Sequence, residues 1–374
     1  MAQTIAAPLS NDDSEPRIPV VRISPDIGTV AANLGLLQHL EGTWEGHGFN
    51  LVGRPDHESN TNVFVELNLT KETLRFEPIA TSIPNRGFAQ DDIELFGLTY
   101  LQKISDSVTG GALHIEPGIW VTQPTTTAPA ESAPAGQQIV ARMGSIPHGN
   151  AILAQGTAAT FSGPPTLSSG SANPAFSAFP SFNSSPFAVS PQIIRAAGTA
   201  ETSAPKGGFT EYTLTNPTSA TNTRTPQGNV PPILPPQITQ ALVNDPILLL
   251  QQDIELQLAE GHLFEGTVLN IATQSPIVFF TTPNSAANGP TVSVSLSDAA
   301  GGIENTPFLA TNAESVLVYA TFWIEHVTHP TRRPFMQLQY AQMVLLNFPA
   351  ALIPGQPNFS WPHVSVATLR KTFG

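Results

Sequence analysis

Gly42-Thr43-Trp44-Glu45-Gly46-His47-Gly48, followed by Asn62-Val63-Phe64-Val65-Glu66-Leu67-Asn68-Leu69, is the part of this sequence that decides the fold. In the second stretch Val63, Val65, Leu67 and Leu69 alternate with Phe64, Glu66 and Asn68, the period-two signature of a strand with two unlike faces. In the first, Gly46 and Gly48 fall on one face of a strand and let a neighbouring backbone or a ligand come close.

Working outward, Val30 to Glu41 places Leu34, Leu37 and Leu40 at the spacing of a short helix just before the glycine motif. After it, strands are expected at Thr73 to Ile79, Ile93 to Ile104, Ala112 to Thr122, Gln138 to Met143 and Ala151 to Thr160. Turn signals such as Pro84-Asn85-Arg86-Gly87 and Pro147-His148-Gly149-Asn150 separate them. Gln123 to Gly136 reads as a hairpin tip or insertion. Phe161 to Gln192 is an uncharged Ser/Pro/Phe stretch whose later part carries Phe176, Phe179, Phe182 and Phe187, suited to wrapping a barrel or covering its mouth.

A low-complexity run from Asn216 to Pro236 ends the first half. Beyond it Ile254, Leu256 and Leu258 alternate with Glu255, Gln257 and Ala259, so Ile247 to Leu258 is expected to be a strand. More strands follow at Phe264 to Thr273, Ile277 to Thr281, Thr291 to Leu296, Val316 to Val327, Phe335 to Phe348 and His363 to Leu369. The division is an N-terminal arm (1–30), a first β half (31–215), a Pro-rich linker (216–243) and a second β half (244–374) that closes the barrel. About a dozen strands exceed the usual sheet of ~4–6, so the sheet must close or split in two. The fold class is all-β: a large antiparallel barrel, either single or made of two barrel-like halves.

Composition agrees. Of the 374 residues 11% are charged, against roughly 25% in an average soluble domain, and 36 prolines with 28 glycines favour strands and turns over helix. The 28 acidic residues outnumber 15 basic ones without any basic cluster, which argues against nucleic acid as a partner. No apolar run approaches the ~18 residues of a membrane span, and residues 1–30 lack the pattern of a signal peptide, so the expected location is cytoplasmic. The absence of cysteine leaves any metal to His, Asp, Glu, Tyr or Met.

Gly42-Thr43-Trp44 after a short helix and before alternating strands resembles the Gly-x-Trp start of the calycin superfamily, which includes lipocalins and fatty-acid-binding proteins. The resemblance implies that Trp44 closes one barrel end against a basic residue of the last strand, with Arg370 in that place. The longer Gly42-Thr43-Trp44-Glu45-Gly46-His47-Gly48 is similar to the first strand of nitrobindin, a haem-binding barrel. Where nitrobindins continue with a glycine and a Tyr-Pro pair, this chain has Phe49-Asn50-Leu51, and it is about twice their length. That resemblance implies a b-type haem with its iron on His363, which shares a strand face with Ser365 and Ala367, and with Gly46 and Gly48 beside the cofactor. A core or rim His363 satisfied by a carbonyl is the alternative.

Arg86 and Arg142 stand out in a chain so poor in basic residues; they either bind haem propionates or a carboxylate or cap turn carbonyls. His114 and Glu116 share a strand face as an acid–base pair or as polar barrel lining, and Gln337 and Gln339 give one strand an amide-rich face toward a pocket or toward solvent. His326 and His329 read as an exposed turn, not a ligand pair, and no hydrolase, nucleotide or dinucleotide motif occurs. The functional expectation is a haem-binding barrel with an apolar pocket and gas or peroxide chemistry at the iron. The alternative is a cofactor-free, lipocalin-like protein that binds, carries, isomerises or cyclises a hydrophobic small molecule.

Overall fold

A computed structural model of the chain describes residues 27–55, 63–85, 90–127, 130–147, 150–165, 167, 221–224, 235–244, 246–273, 277–280, 291–294, 317–348 and 359–372. Arg86, the phenylalanine-rich stretch and most of the arm and linker lie outside them. The strands are β1 (Gly42–Pro55), β2 (Val63–Pro78), β3 (Ile83–Asn85), β4 (Ile93–Asp106), β5 (Ala112–Gln123), β6 (Thr126–Thr127), β7 (Ala130–Glu131) and β8 (Gln137–Ile146). They continue as β9 (Asn150–Ser162), β10 (Thr221–Arg224), β11 (Leu263–Ala272), β12 (Ile277–Phe280), β13 (Thr291–Val294), β14 (Leu317–Thr328), β15 (Phe335–Phe348) and β16 (Phe359–Thr372).

Ten of these close into a single antiparallel barrel in the order β1, β2, β4, β5, β8, β9, β11, β14, β15, β16, with β16 returning to β1. Strands from before and after the Pro-rich linker thus share one closed sheet rather than forming two barrels. Closure removes the exposed edges that an open sheet of this size would present. The first residues of β2, Val63 to Glu66, pair in parallel with the extra strand β10, whereas Thr70 to Pro78 pair with β4. The strands expected at Ile277 and Thr291 do not join the barrel; β12 and β13 pair with each other.

Strand register fixes which residues face inward. Trp44, Gly46, Gly48 and Asn50 of β1 stand level with Leu74, Glu72, Thr70 and Asn68 of β2 and with Lys371, Leu369, Ala367 and Ser365 of β16. Bonds across the lumen identify this set as the inner one: the Tyr340 hydroxyl of β15 donates to Glu72 of β2 at 2.6 Å. The polar parity of β2 therefore faces the lumen, and its apolar parity faces out, where Leu67 is nonetheless buried.

The short helix appears as Ile27–Leu34 followed by a 3-10 turn, Gly35–Leu40. Leu34, Leu37 and Leu40 are buried and plug the end at which β1 begins. Gln138 ties the turn to β8, accepting from the Leu36 N–H at 2.8 Å and donating to the Leu34 carbonyl at 3.2 Å. Trp44, fully buried, donates from its indole to the Leu40 carbonyl at 2.7 Å. Its cation is not Arg370. Alternation turns Arg370 outward, where its guanidinium lies 3.8 Å from the Phe335 ring centroid, and brings Lys371 inward, with Nζ 5.4 Å from the Trp44 ring centroid.

The glycines of the motif serve strand packing. A Cβ on Gly46 would lie 2.1 Å from the Thr368 carbonyl oxygen and one on Gly48 2.3 Å from that of Val366, so only glycine lets β1 and β16 meet this closely.

The segment expected as a strand from Ile247 is instead the helix Leu248–Ala259. Ile247, Leu250 and Ile254 are buried at helical spacing, while Leu256 and Leu258, which completed the apparent alternation, are 66% and 42% exposed. Leucine and glutamine also favour helix over strand. The helix stops at Gly261, whose φ of +89° an L side chain resists. It lies outside the barrel against β15 and β16: Gln257 donates to Gln337 at 2.7 Å, and Gln339 donates to the Leu250 carbonyl at 3.3 Å.

Candidate functional site

Half-way along the lumen, strands β2, β4, β5, β8 and β15 each contribute polar side chains to one buried layer. At its centre is Arg142 of β8, 2% exposed, whose Nη2 donates to Glu116 Oε1 of β5 at 2.7 Å. Its Nε donates to the Tyr100 hydroxyl at 3.0 Å and its Nη1 reaches across to Gln342 Oε1 of β15 at 2.6 Å. Tyr100 in turn donates to Glu116 Oε1. The guanidinium carbon lies 5.2, 5.9 and 5.4 Å from the ring centroids of Tyr100, Trp120 and Phe322, so the cation is boxed by aromatic rings as well as bonded. Gly118 and Gly144 make room: a Cβ on either would strike the Tyr100 side chain.

Burial opposes charge on Glu116, but the Arg142 guanidinium, together with the His114 and Tyr100 hydrogen bonds, holds its carboxyl down to about 2. Burial likewise opposes the charge of Arg142, and Glu116 overrides it to keep the guanidinium charged. His114 Nε2 approaches the other oxygen, Glu116 Oε2, at 3.3 Å, and this ring is partly exposed.

A second cluster adjoins the first. Glu72 accepts from Tyr340, from Thr70 Oγ1 at 2.8 Å and from Gln102 Nε2 at 3.4 Å, and Gln102 also donates to the Tyr340 hydroxyl at 3.1 Å. With no cation bonded to it and 1% exposure, the Glu72 carboxyl is pushed up by burial, against the pull of those hydrogen bonds. Burial pushes the Tyr340 hydroxyl up as well.

Beyond this layer, away from Trp44, Asn68 Nδ2 donates to Asn50 Oδ1 at 2.7 Å and to Glu66 Oε1 at 3.1 Å. Its carbonyl oxygen Oδ1 is buried with no hydrogen-bond partner. Ser365 stands between Asn50 and Gln342 in register, and His363 one inward position further on, between Val52 of β1 and Val344 of β15.

Of the residues singled out in the sequence, the barrel brings Arg142, Glu116 and His114 into one network. His363 lies on the same inner wall, half-buried, nearer the strand ends. Gln337 and Gln339 are fully buried but on the outer face, under the helix, where Gln337 donates to Glu325 Oε2 at 2.6 Å and Gln339 to Thr368 Oγ1 at 2.9 Å. Their amides serve neither a lumen ligand nor solvent. His326 pairs with Glu265 on the surface at 3.0 Å. Among the described residues no cluster of three or more His, Asp or Glu could hold a metal, and no helix is long and apolar enough to cross a membrane.

Tyr100, Glu72, Tyr340, Gln102, Asn50 and Asn68 were not singled out by motif. Their signal was parity: each shares the strand face of Trp44, Arg142 or Glu116 once register is known.

Haem can be tested against these side chains. The His363 imidazole on the inner wall, flanked by Val52 and Val344, fits an axial ligand. Arg142 does not fit a propionate partner, since Glu116 already neutralises it, and Gly46 and Gly48 face neighbouring backbone.

No family model matches this chain, and no curated protein does. Among solved structures, the crystal structure of Rv2717c from M. tuberculosis is 10% identical with a TM-score of 0.27, covering 91% of this chain and 98% of that one. The crystal structure of the transport unit of the autotransporter AIDA-I from Escherichia coli is 8% identical with a TM-score of 0.19, covering 94% of this chain and 100% of that one. Both similarities are too slight to support a conclusion about function.

Proposed function

We propose that this chain binds a small molecule with an apolar body and a hydrogen-bond-donating group, held in the half of the lumen beyond the Arg142–Gln342 bond. The observation that carries this reading is Asn68 Oδ1, a buried acceptor on the inner wall that lacks a donor. An unmet acceptor of this kind costs about 1–3 kcal/mol, a debt that a ligand N–H or O–H would cancel. Ten strands also enclose more space than the eight that suffice to hold one small ligand. The opposite wall supplies apolar surface through Val344, Val318, Ala320, Ile271 and Ala154. 8-Anilinonaphthalene-1-sulfonate, an apolar fluorophore with one N–H donor, should bind saturably, and Asn68→Leu should weaken it about fivefold to tenfold, the worth of one hydrogen bond. Equal affinity in the variant, or no saturable binding, would overturn the reading.

A second reading is favoured by the position of His363: the lumen ligand is haem b with this imidazole on its iron, which would supply gas or peroxide chemistry. In it, His363 binds the metal and the apolar wall excludes water. Added hemin should then give a shifted Soret band that His363→Ala abolishes; an identical spectrum in the variant removes haem ligation by His363 and leaves the first reading intact.

A further inference from the structure

On the outer surface at the plugged end, the turn between β14 and β15, the end of the helix Leu248–Ala259 and the last residues of β16 enclose a groove of about 290 Å³. Arg332, Arg333 and Arg370 line it with His262, Glu260 and Phe335. Fifteen of 374 residues in this chain are basic, about one in 25, so three arginines among the eight lining residues are a local concentration in an otherwise acidic molecule.

Three of the groups around this groove, Arg370, His262 and Arg332, are held by contacts. The Arg370 guanidinium carbon lies over the Phe335 ring, 3.8 Å from its centroid, which restrains the side chain at the groove. His262, 6% exposed, bonds through Nδ1 to the Gln257 carbonyl at 3.1 Å, and its ring packs 5.0 Å from His329 and 5.8 Å from Phe335. Arg332 is bonded to the Glu260 carboxylate, which it holds below the usual carboxylate range. That pair neutralises itself. Arg333 and Arg370 remain, two positive charges on one rim. Two other carboxyls lie near Arg370: Glu45 stands opposite it on β1, and Asp253 on the helix is pushed up by burial against the pull of Thr368 and Arg370.

We propose that this groove binds a dianionic oxyanion, specifically a phosphate group, through the guanidinium groups of Arg333 and Arg370. Planar guanidinium forks match phosphate oxygens in pairs, and two guanidinium charges on one rim favour a dianion over a monoanion. At about 30 Å³ per water-sized unit, the volume holds a phosphate with a few further atoms. Inorganic phosphate and a small organic monoester present the same chemistry, and this site is separate from the lumen.

The test is titration of the full chain with inorganic phosphate, glycerol phosphate and acetate at low ionic strength, read by calorimetry. Phosphate should bind saturably and acetate more weakly. Arg333→Ala and Arg370→Ala should each weaken phosphate about tenfold, the effect of losing one charged hydrogen-bonding partner. Arg75→Ala, which removes an exposed arginine paired with Glu77 on another face, should leave binding unchanged. Tighter glycerol phosphate identifies an organic monoester and equal affinity the free ion, and both support the site. No saturable phosphate binding, or equal binding in the wild type, Arg333→Ala and Arg370→Ala proteins with their melting temperatures preserved, would refute it.

Discussion

Glu116 in the lumen and Glu325 beneath the outer helix are equally removed from water, each 0% exposed, yet they carry opposite charge states at neutral pH. Burial raises both. At Glu116 the Arg142 guanidinium, 2.7 Å away, overcomes that effect and holds the carboxyl at about 2. At Glu325 only the neutral Gln337 amide opposes burial, the Asp253 carboxyl adds to it, and the group is pushed up to about 8. At a separation of 2.7 Å a pair of unit charges gains roughly 6 kcal/mol even at an effective dielectric near 20, several times what a neutral amide bond contributes. The identity of the partner, not the depth of burial, therefore decides whether a buried carboxyl in this protein is a charge or an acid. Arg370, beside Gln337 in register, is turned onto Phe335 instead.

The comparison breaks most visibly if the lumen loses its cation. Arg142→Met would leave Glu116 buried with hydrogen bonds but no counter-charge, and the Gln342 amide without its donor. Stability should fall by about 3–5 kcal/mol in urea unfolding, the usual cost of stranding one member of a buried pair. Arg142→Met combined with Glu116→Gln should recover much of that loss, because the uncompensated charge is then absent as well. If the double variant is no better than the single one, the loss is packing against Tyr100, Trp120 and Phe322, and the electrostatic account of the lumen layer is wrong.

The barrel was legible because its signals are local. Alternation at Val63 to Leu69, turn residues between strands, and the Trp44 motif each depend on a few neighbouring residues, and the strands and plugged end follow from them. Two features depended on what lies opposite. Leu248–Ala259 read as a strand because Leu256 and Leu258 extend an alternation, and only their exposure reveals that the burial period is helical. The partner of Trp44 was displaced by one residue, from Arg370 to Lys371, which in a strand is the difference between outside and inside. The same dependence governs the candidate site. His114, Glu116 and Arg142 could be noticed singly, but Tyr100, Glu72, Tyr340 and Gln342 join them through register across as many as 268 residues of chain, which no local pattern encodes. Gln337 and Gln339 carried a true signal of polarity on one strand face, and the helix that covers that face was the part misread.

A smaller effect tests the outer layer. Glu325→Gln keeps the shape and the acceptor for Gln337 while removing the ionisation. In the wild-type protein the folded-state carboxyl titrates at about 8 and the unfolded one at its ordinary 4.5, so the folded state holds the extra proton between these values. Stability from this group is therefore complete below about pH 4.5, declines as pH rises, and is gone once pH passes 8. The variant has no such proton to lose. Its stability relative to wild type should grow from pH 5 to pH 9 by about 4 kcal/mol, while Asp253 and Glu72, whose carboxyls are raised in the same direction, tilt both curves alike. Glu116→Gln should behave oppositely, because its low carboxyl stabilises the fold above about pH 4.5 and loses that contribution as pH falls toward 2. Parallel curves for wild type and Glu325→Gln across pH 5 to 9 would mean that Glu325 is ionised in the folded protein, and that the outer layer holds a counter-charge as the lumen does.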